Sequence, residues 1–390
     1  MASRVDLFRP YLSTRAADNM ARVLAYDADG RMMLGQGALV DRFEREFAAL
    51  VGVADPDTVV STNSCTSALG IALQLAGVGP GDEVIAPPMT CTATSGAIVN
   101  RGARIVWADV DPLTGCIDPY DAARKVTGRT GAIVAVDWGG RSCDYDALRG
   151  IGNGRGRGPV PVIEDAAHAL LARIGDRSIG APGPADNGYG DHEFAGGDYI
   201  CYSFGPIKHL TTLDGGALLA PHYQHERARL LRWHGLSRRT AADFRCAQPI
   251  HEAGTKAHLT DPNAAIGLGN LPDMPWVVAQ HRANAAFYDV ALRGLPGVTL
   301  PPPDPGSAWW LYCLLVERRD DFMAFMAARG IQTSRVHGRN DTHPAYHFPN
   351  GPLPGVDYFD GHVAAIPVGW WVGPRERLRV AEAVRAWARG

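Results

Sequence analysis

The chain has 390 residues, of which 46% are hydrophobic and 20% charged, with a formal net charge of −3. That length supports large buried cores in two domains, and the near-neutral balance leaves no electrostatic footprint for nucleic acid or an anionic membrane surface. No apolar run reaches bilayer length, Met1–Asp6 lacks a signal-peptide core, and the seven cysteines show no CxxC spacing, so reduced thiols in a cytoplasm are expected.

In chain order, residues 14–50 read as a helical arm, with Val40, Phe43, Phe47 and Leu50 at helical spacing. A short strand at Thr58–Val60 runs through Ser61-Thr62-Asn63-Ser64-Cys65-Thr66-Ser67 into an apolar helix, Ala68–Ala76, which Gly77, Gly79, Pro80 and Gly81 end. Strands at Glu83–Ala86, Ile105–Ala108, Ala132–Val136 and Val160–Ile163 then alternate with helices from Thr92, near Asp118–Lys125 and over Tyr145–Ile151. Such alternation predicts a largely parallel sheet covered by helices on both faces. Gly152–Gly158 is glycine-rich but precedes a strand, so its glycines have no helix N-terminus to present, and the loop reading is preferred to a dinucleotide fingerprint. The Gly- and Asp-rich segment 175–197 reads as a surface insertion. After a long helical stretch from Asn263 to Leu292, the Pro-rich junction Leu300–Pro305 sets the expected boundary. A large domain over 1–300 is expected, followed by a small α+β domain over 301–390 with a strand at Tyr312–Val316 and a closing helix at Glu376–Ala388.

Three constellations carry chemistry. The Ser/Thr-rich run into the helix after Cys65 offers backbone amides, hydroxyls and a positive helix end, which suits a phosphate. In Pro161-Val162-Ile163-Glu164-Asp165-Ala166-Ala167-His168, a carboxylate stands at the end of a buried parallel strand, where open α/β sheets bind ligands. Beyond the apolar strand Tyr199–Tyr202, Ser203-Phe204-Gly205-Pro206-Ile207-Lys208 places an amine where partial desolvation would make it a nucleophile toward an aldehyde. Each has an ordinary counterpart: N-caps for the first two, a surface lysine for the third. Together a phosphate cradle, a carboxylate for a ring nitrogen and an amine for an aldehyde are the demands of pyridoxal phosphate. No metal site competes, because Pro344 interrupts the His343/His347 spacing and no third ligand is evident.

At these residues the chain resembles the DegT/DnrJ/EryC1/StrS sugar aminotransferases. Gly79-Pro80-Gly81-Asp82-Glu83-Val84-Ile85, Val162 to Ala169, and Ser203-Phe204 through Lys208 to Gly215-Gly216 carry the likeness. The resemblance implies fold type I, the aspartate aminotransferase-like architecture, with pyridoxal 5′-phosphate as cofactor and pyridoxamine phosphate as its alternate form. It implies Lys208 as Schiff-base lysine and proton carrier, Asp165 as partner of the pyridinium nitrogen, Ser203 and the amides of Cys65 and Thr66 on the phosphate, and His168 near the ring and its 3-oxygen. Cys91 falls where many members place a stacking aromatic, so stacking there is weakened or supplied elsewhere. Gly254–Asp261 resembles the segment that crosses a homodimer, which would bring Lys256 to the neighbouring subunit's cofactor phosphate at an active site on the subunit interface. Cys65 replaces a usual glycine, and Asp137 stands where histidine is common. Dehydratase members carry histidine at the Schiff-base position; Lys208 therefore favours amination over deoxygenation.

The expected function is amino transfer from glutamate or glutamine to a ketosugar, a nucleotide-linked 4-keto-6-deoxyhexose, for an amino sugar. The alternatives are an aminocyclitol (inosose) aminotransferase and a non-catalytic regulator that binds the cofactor. Candidate substrate-recognition residues are His337, Arg339 and Asn340.

Overall fold

The computed structural model describes residues 4–25, 35–152, 159–183, 193–237, 248–348 and 351–390. Its strands are β1 Val59–Thr62, β2 Glu83–Ala86, β3 Arg104–Trp107, β4 Thr130–Val136, β5 Val162–Asp165, β6 Arg173–Ile174, β7 Arg177–Ser178, β8 Tyr199–Ser203, β9 Gly216–Leu219, β10 Val298–Thr299, β11 Tyr312–Val316 and β12 Val363–Ile366. Its helices are α1 Thr14–Leu24, α2 Ala38–Val51, α3 Cys65–Leu75, α4 Thr92–Asn100, α5 Pro119–Arg124, α6 Tyr145–Arg149, α7 His225–Arg232, α8 Asp261–Asn270, α9 Met274–Ala291, α10 Arg319–Ala328, α11 Pro354–His362 and α12 Pro374–Ala388.

Among the described residues the main sheet has seven strands in the order β1-β9-β8-β5-β4-β2-β3. Pairings from β3 through β8 are parallel, whereas β9 runs antiparallel to both β1 and β8. Every residue of β1, β2, β4, β5 and β9 is buried, as expected for a sheet covered on both faces. The covers form two apolar clusters, one built chiefly on α3 with residues of α4 and α6, the other on α2, α8 and α9. Helix boundaries follow local chemistry. Ser64 caps α3 by accepting from the Ser67 amide at 3.1 Å, and Gly52 ends α2 in the left-handed region at φ 80°.

A second, antiparallel sheet, β10-β11-β12, begins at Val298, ahead of the Pro-rich junction. It packs on α9, α10 and α12 in a cluster of its own, and Val5 bridges to Ile331 at its flank. Three particulars depart from the sequence reading. The antiparallel β9 is not among the strands expected from sequence. The 263–292 stretch is two helices broken at Leu271–Asp273, where Pro272 sits. Segment 175–197 is on the surface only in part: residues 175–177 are exposed, but Ile179, Phe194 and Ala195 are buried, and Arg149 donates to the Phe194 and Ala195 carbonyls at 2.8 Å each. Residues 184–192 within it, and residues 153–158 of the glycine-rich loop, lie outside the described residues.

Candidate active site

Strand register puts the chemistry-bearing residues on one edge of the main sheet. Thr62 pairs with Gly216, which pairs with Ser203, so the end of β1, the start of β9 and the end of β8 meet. Asp165 closes the adjoining β5, and Asp137 follows β4. This is the carboxyl edge of the parallel strands, where such sheets hold ligands.

The start of α3 enters this edge against β9. A Cβ on Gly216 would lie 2.6 Å from the Cys65 nitrogen, so only glycine lets the helix approach so closely. The amides of Cys65 and Thr66 open the first helical turn, where intrahelical acceptors are lacking. Cys65 takes ordinary helical backbone and is not among the positive-φ residues, so the helix start accommodates a cysteine without strain. The Ser203 hydroxyl accepts from the Gly205 amide at 3.4 Å and keeps its own proton for another acceptor.

Asp165 is buried at 5% exposure. Its Oδ2 accepts from Thr94 Oγ1 at 2.7 Å, and its Oδ1 accepts from the Ala167 amide at 3.2 Å and from Cys65 Sγ at 3.8 Å. Thr90 Oγ1 lies 2.8 Å from Thr94 Oγ1, so with Thr94's proton on the carboxylate, Thr90 is the donor. Burial pushes the Asp165 pKa up, and the Thr94 bond is the largest influence holding it down. The direct hydrogen bonds to this carboxylate all come from neutral donors, and the cation that acts on it is Lys208.

Lys208 follows β8 on a turn in which its amide donates to the Gly205 carbonyl at 3.1 Å. The turn is fixed from several sides. Thr211 Oγ1 and the Thr212 amide donate to the Phe204 carbonyl, and Asn270 and Asn263 hold the Thr211 and Thr212 carbonyls. Burial lowers the Lys208 pKa to about 8, with Asp165 opposing. The chain has three lysines. Lys125 is ion-paired to Asp121 at 2.7 Å and Lys256 is exposed, so the desolvated amine is that of Lys208. His209 turns away and bonds the Ala308 carbonyl through Nε2 at 3.1 Å.

His168 is buried and accepts the Gly139 amide on Nδ1 at 3.3 Å, which leaves its proton on Nε2. Burial drives its pKa well down, so the ring is neutral. It stacks on Trp310 at 3.9 Å and lies parallel to His337 at 5.7 Å, while Trp138 meets both histidines edge-on. The His337 pKa is also lowered, to about 4, by burial and by Lys208. Val336, before it, has φ 68°, a strained conformation for a β-branched residue.

The other sequence-derived candidates are placed differently. Asn340 is buried and clasps α4: its Nδ2 donates to Ser95 Oγ at 2.8 Å and to the Cys91 carbonyl at 3.3 Å. Arg339 is paired with Asp341 at 2.7 Å and with Asp357, and those bonds raise its pKa. Cys91 is exposed at the N-cap of α4. Lys256 bridges Trp233 through its backbone, away from the Lys208 turn in sequence. Thr90, Thr94, Trp138 and Trp310 escaped the sequence reading. Only the Thr-Cys-Thr-Ala-Thr run opening α4 carried a usable signal, an excess of hydroxyls at a helix start.

The sequence model of the DegT/DnrJ/EryC1/StrS aminotransferase family matches residues 14–385. The chain belongs to this family. A Streptomyces venezuelae relative, dTDP-3-amino-3,4,6-trideoxy-alpha-D-glucose transaminase, is 34% identical over 98% of this chain and 95% of its own. A Saccharopolyspora spinosa relative, dTDP-4-dehydro-2,3,6-trideoxy-D-glucose 4-aminotransferase, is 33% identical over 85% of this chain and 83% of its own. The crystal structure of AtS13 from Actinomadura melliaura superimposes with a TM-score of 0.88 at 38% identity, covering 99% of both chains. The DegT/DnrJ/EryC1/StrS fold of this chain is thus fold type I, and the chain is an aminotransferase.

Proposed function

We propose that this aminotransferase uses pyridoxal phosphate to move an amino group from glutamate or glutamine to a nucleotide-linked ketosugar, a 4-keto-6-deoxyhexose. The observation that carries the reading is a desolvated Lys208 amine whose charge acts on buried Asp165, on the same sheet edge as the open first turn of α3. The residues fit the cofactor: unfilled amides and the Ser203 hydroxyl suit a phosphate, and a buried carboxylate whose direct hydrogen-bond donors are all neutral suits a protonated ring nitrogen. When bound, the cofactor supplies an aldehyde for the amine and a ring that withdraws electrons from the carbon losing a proton.

The chain's own residues do the rest. Cys65, Thr66 and Ser203 would hold the phosphate, and Asp165 would keep the ring nitrogen protonated, with the bond from Thr94, backed by Thr90, opposing the rise that burial gives the Asp165 pKa. His168, neutral with its proton on Nε2, would donate to the ring oxygen. Lys208 Nζ, with a pKa near 8, can both take and return a proton near neutral pH. His337 is the substrate-facing candidate in the small sheet's loop. Arg339 and Asn340 brace that loop, and Cys91 would offer the cofactor no aromatic stacking.

The Streptomyces and Saccharopolyspora relatives act, by name, on dTDP-linked deoxysugars, which supports a nucleotide-linked substrate. A homodimer that brings Lys256 to the partner's phosphate, a cytoplasmic setting, and a division at 300/301 into cofactor and small domains complete the proposal. A panel of nucleotide-linked ketosugars and inososes, offered with glutamate or glutamine and read by mass spectrometry, tests it. Amination of a nucleotide-linked sugar that vanishes in Lys208→Ala is expected. Turnover by Lys208→Ala, or amination of inososes alone, overturns the reading.

A further inference from the structure

Lys208 Nζ lies 3.8 Å from the ring centroid of Trp310. That indole is held in place from several directions. Its Nε1 donates to the Ile207 carbonyl, the residue before Lys208, at 2.8 Å. Phe8 stacks on it at 5.1 Å and His168 at 3.9 Å.

The strap that delivers it is fixed just as firmly. His209 and His281 bond the consecutive carbonyls of Ala308 and Trp309, at 3.1 and 2.8 Å. The Ala308 and Leu311 amides donate to the Gly140 and Gly139 carbonyls at 2.8 and 3.1 Å. Trp309 takes a left-handed φ of 49° between these anchors. Non-glycine residues persist there only when their surroundings over-determine them. The strap is built to aim Trp310.

We propose that Trp310 is a positioning residue whose ring face seats the Lys208 ammonium whenever that amine is not covalently engaged. The proposal rests on the amino-transfer reading, in which Lys208 alternates between a bond to the cofactor aldehyde and a free amine that carries a proton. A free ammonium in this setting faces carboxylate Asp165, thiols Cys65 and Cys91, and the histidines His168, His209 and His337, whose rings are driven neutral by burial. Asp165 is committed to Thr94, Ala167 and Cys65. The quadrupole of the indole attracts a cation most strongly where water is excluded. Such a seat keeps the amine protonated and aimed at the site instead of swinging out on its four-carbon stem.

The test uses the full-length chain freed of cofactor. Lys208 is labelled competitively with acetic anhydride across the range from about pH 6 to 10 and read by peptide mass spectrometry. Exposed Lys256 serves as internal reference. Trp310→Leu keeps an apolar cover without a π face, and should lower the Lys208 midpoint by about one unit, roughly tenfold or about 1.4 kcal/mol. Trp310→Phe keeps a π face and should stay within a few tenths of a unit of the parent. An unchanged or raised midpoint in Trp310→Leu, or an equal fall in both variants, overturns the proposal.

Should the leucine variant fail to fold, the parent answers alone. After reductive 13C-methylation, the Lys208 methyl resonance should be displaced upfield of Lys256 by the indole ring current, and coincidence of the two signals overturns the seat. In the loaded enzyme, Trp310→Leu should lower kcat several-fold with KM for both substrates held within about twofold. Failure of borohydride to fix a cofactor on Lys208 would refute the amino-transfer reading. It would leave the labelling result standing.

Discussion

Thr94→Val is the sharpest perturbation, because it removes one hydroxyl, with its bonds to Asp165 and Thr90, and almost no volume. Thr94 Oγ1 donates at 2.7 Å to Asp165 Oδ2 inside a buried pocket, with Thr90 Oγ1 behind it at 2.8 Å. A hydrogen bond to a buried charged group is worth about 1.5–3 kcal/mol, which corresponds to a rise of about one to two units in the Asp165 pKa. Asp165 is already raised by burial and held down chiefly by this bond. Losing the bond therefore favours the protonated carboxyl, which cannot hold a ring nitrogen protonated. The acid limb of the kcat/KM profile should move upward by about one to two units, with rates below it falling about 10–100-fold. Thr94→Ser, which restores the hydroxyl, should keep the parent profile. The assay is steady-state transamination across pH with melting temperature recorded in parallel. An acid limb that moves by less than about 0.3 units in Thr94→Val would refute the role given to Thr94.

Other expectations concern the scaffold. Glu44 is buried between Arg232 at 2.6 Å and Arg229 at 2.9 Å; burial pushes its pKa up, but the two guanidinium groups overcome it and bring it to about 2. Its stabilising contribution is present above the ordinary carboxyl pKa and disappears as pH falls toward 2. Glu44→Gln should therefore cost about 3–5 kcal/mol at neutral pH by chemical denaturation and lose that penalty in acid, whereas a constant penalty would contradict the pairing. Asp137 and Glu164 face one another in the core. Burial raises both, Asp137 to about 6, while Asp137 Oδ1 holds the Cys143 amide and the Tyr145 hydroxyl. Folded groups with raised acid pKa values stabilise most at low pH and lose that contribution as pH climbs through about 4 to 6 and beyond. Glu164→Gln removes one titrating group from the pair and should flatten this decline; an unchanged pH slope would exclude Glu164 as a source of it. Gly216→Ala places a Cβ 2.6 Å from the Cys65 nitrogen. It should weaken cofactor binding at least tenfold by equilibrium titration, about 1.4 kcal/mol, and parent-like affinity would exclude the close approach.

The legible part of the site was the part held by short, contiguous segments. Asp165 ends an apolar strand, Lys208 follows another, and the Ser/Thr run precedes an apolar helix, so periodicity and turn chemistry located each one. The parallel core of the sheet was legible for the same reason, with strand ends displaced by one or two residues. What remained hidden depends on contacts between distant segments. Thr94 is one hydroxyl among several on α4, and only the fold directs it at Asp165. Trp310 sits in a strap whose left-handed Trp309 is imposed by His281 and by neighbouring bonds to Gly139 and Gly140, a conformation with no local propensity. Arg339 and Asn340 look like free polar loop residues in sequence, yet partners from Asp357 to Ser95 occupy them. β9 is absent from the expected strands; it opens at Gly216, where α3 passes too close for a side chain, a contact between distant segments.

The central claim is that Lys208 is the amine that bonds pyridoxal phosphate. The chain has three lysines, which makes the decisive measurement simple. Protein loaded with pyridoxal phosphate is reduced with sodium borohydride, digested, and its pyridoxyl-modified peptides are identified by mass spectrometry. One modified residue, Lys208, with loss of the visible absorbance band, is the predicted result. Modification confined to Lys125 or Lys256, or none at all, would contradict the account.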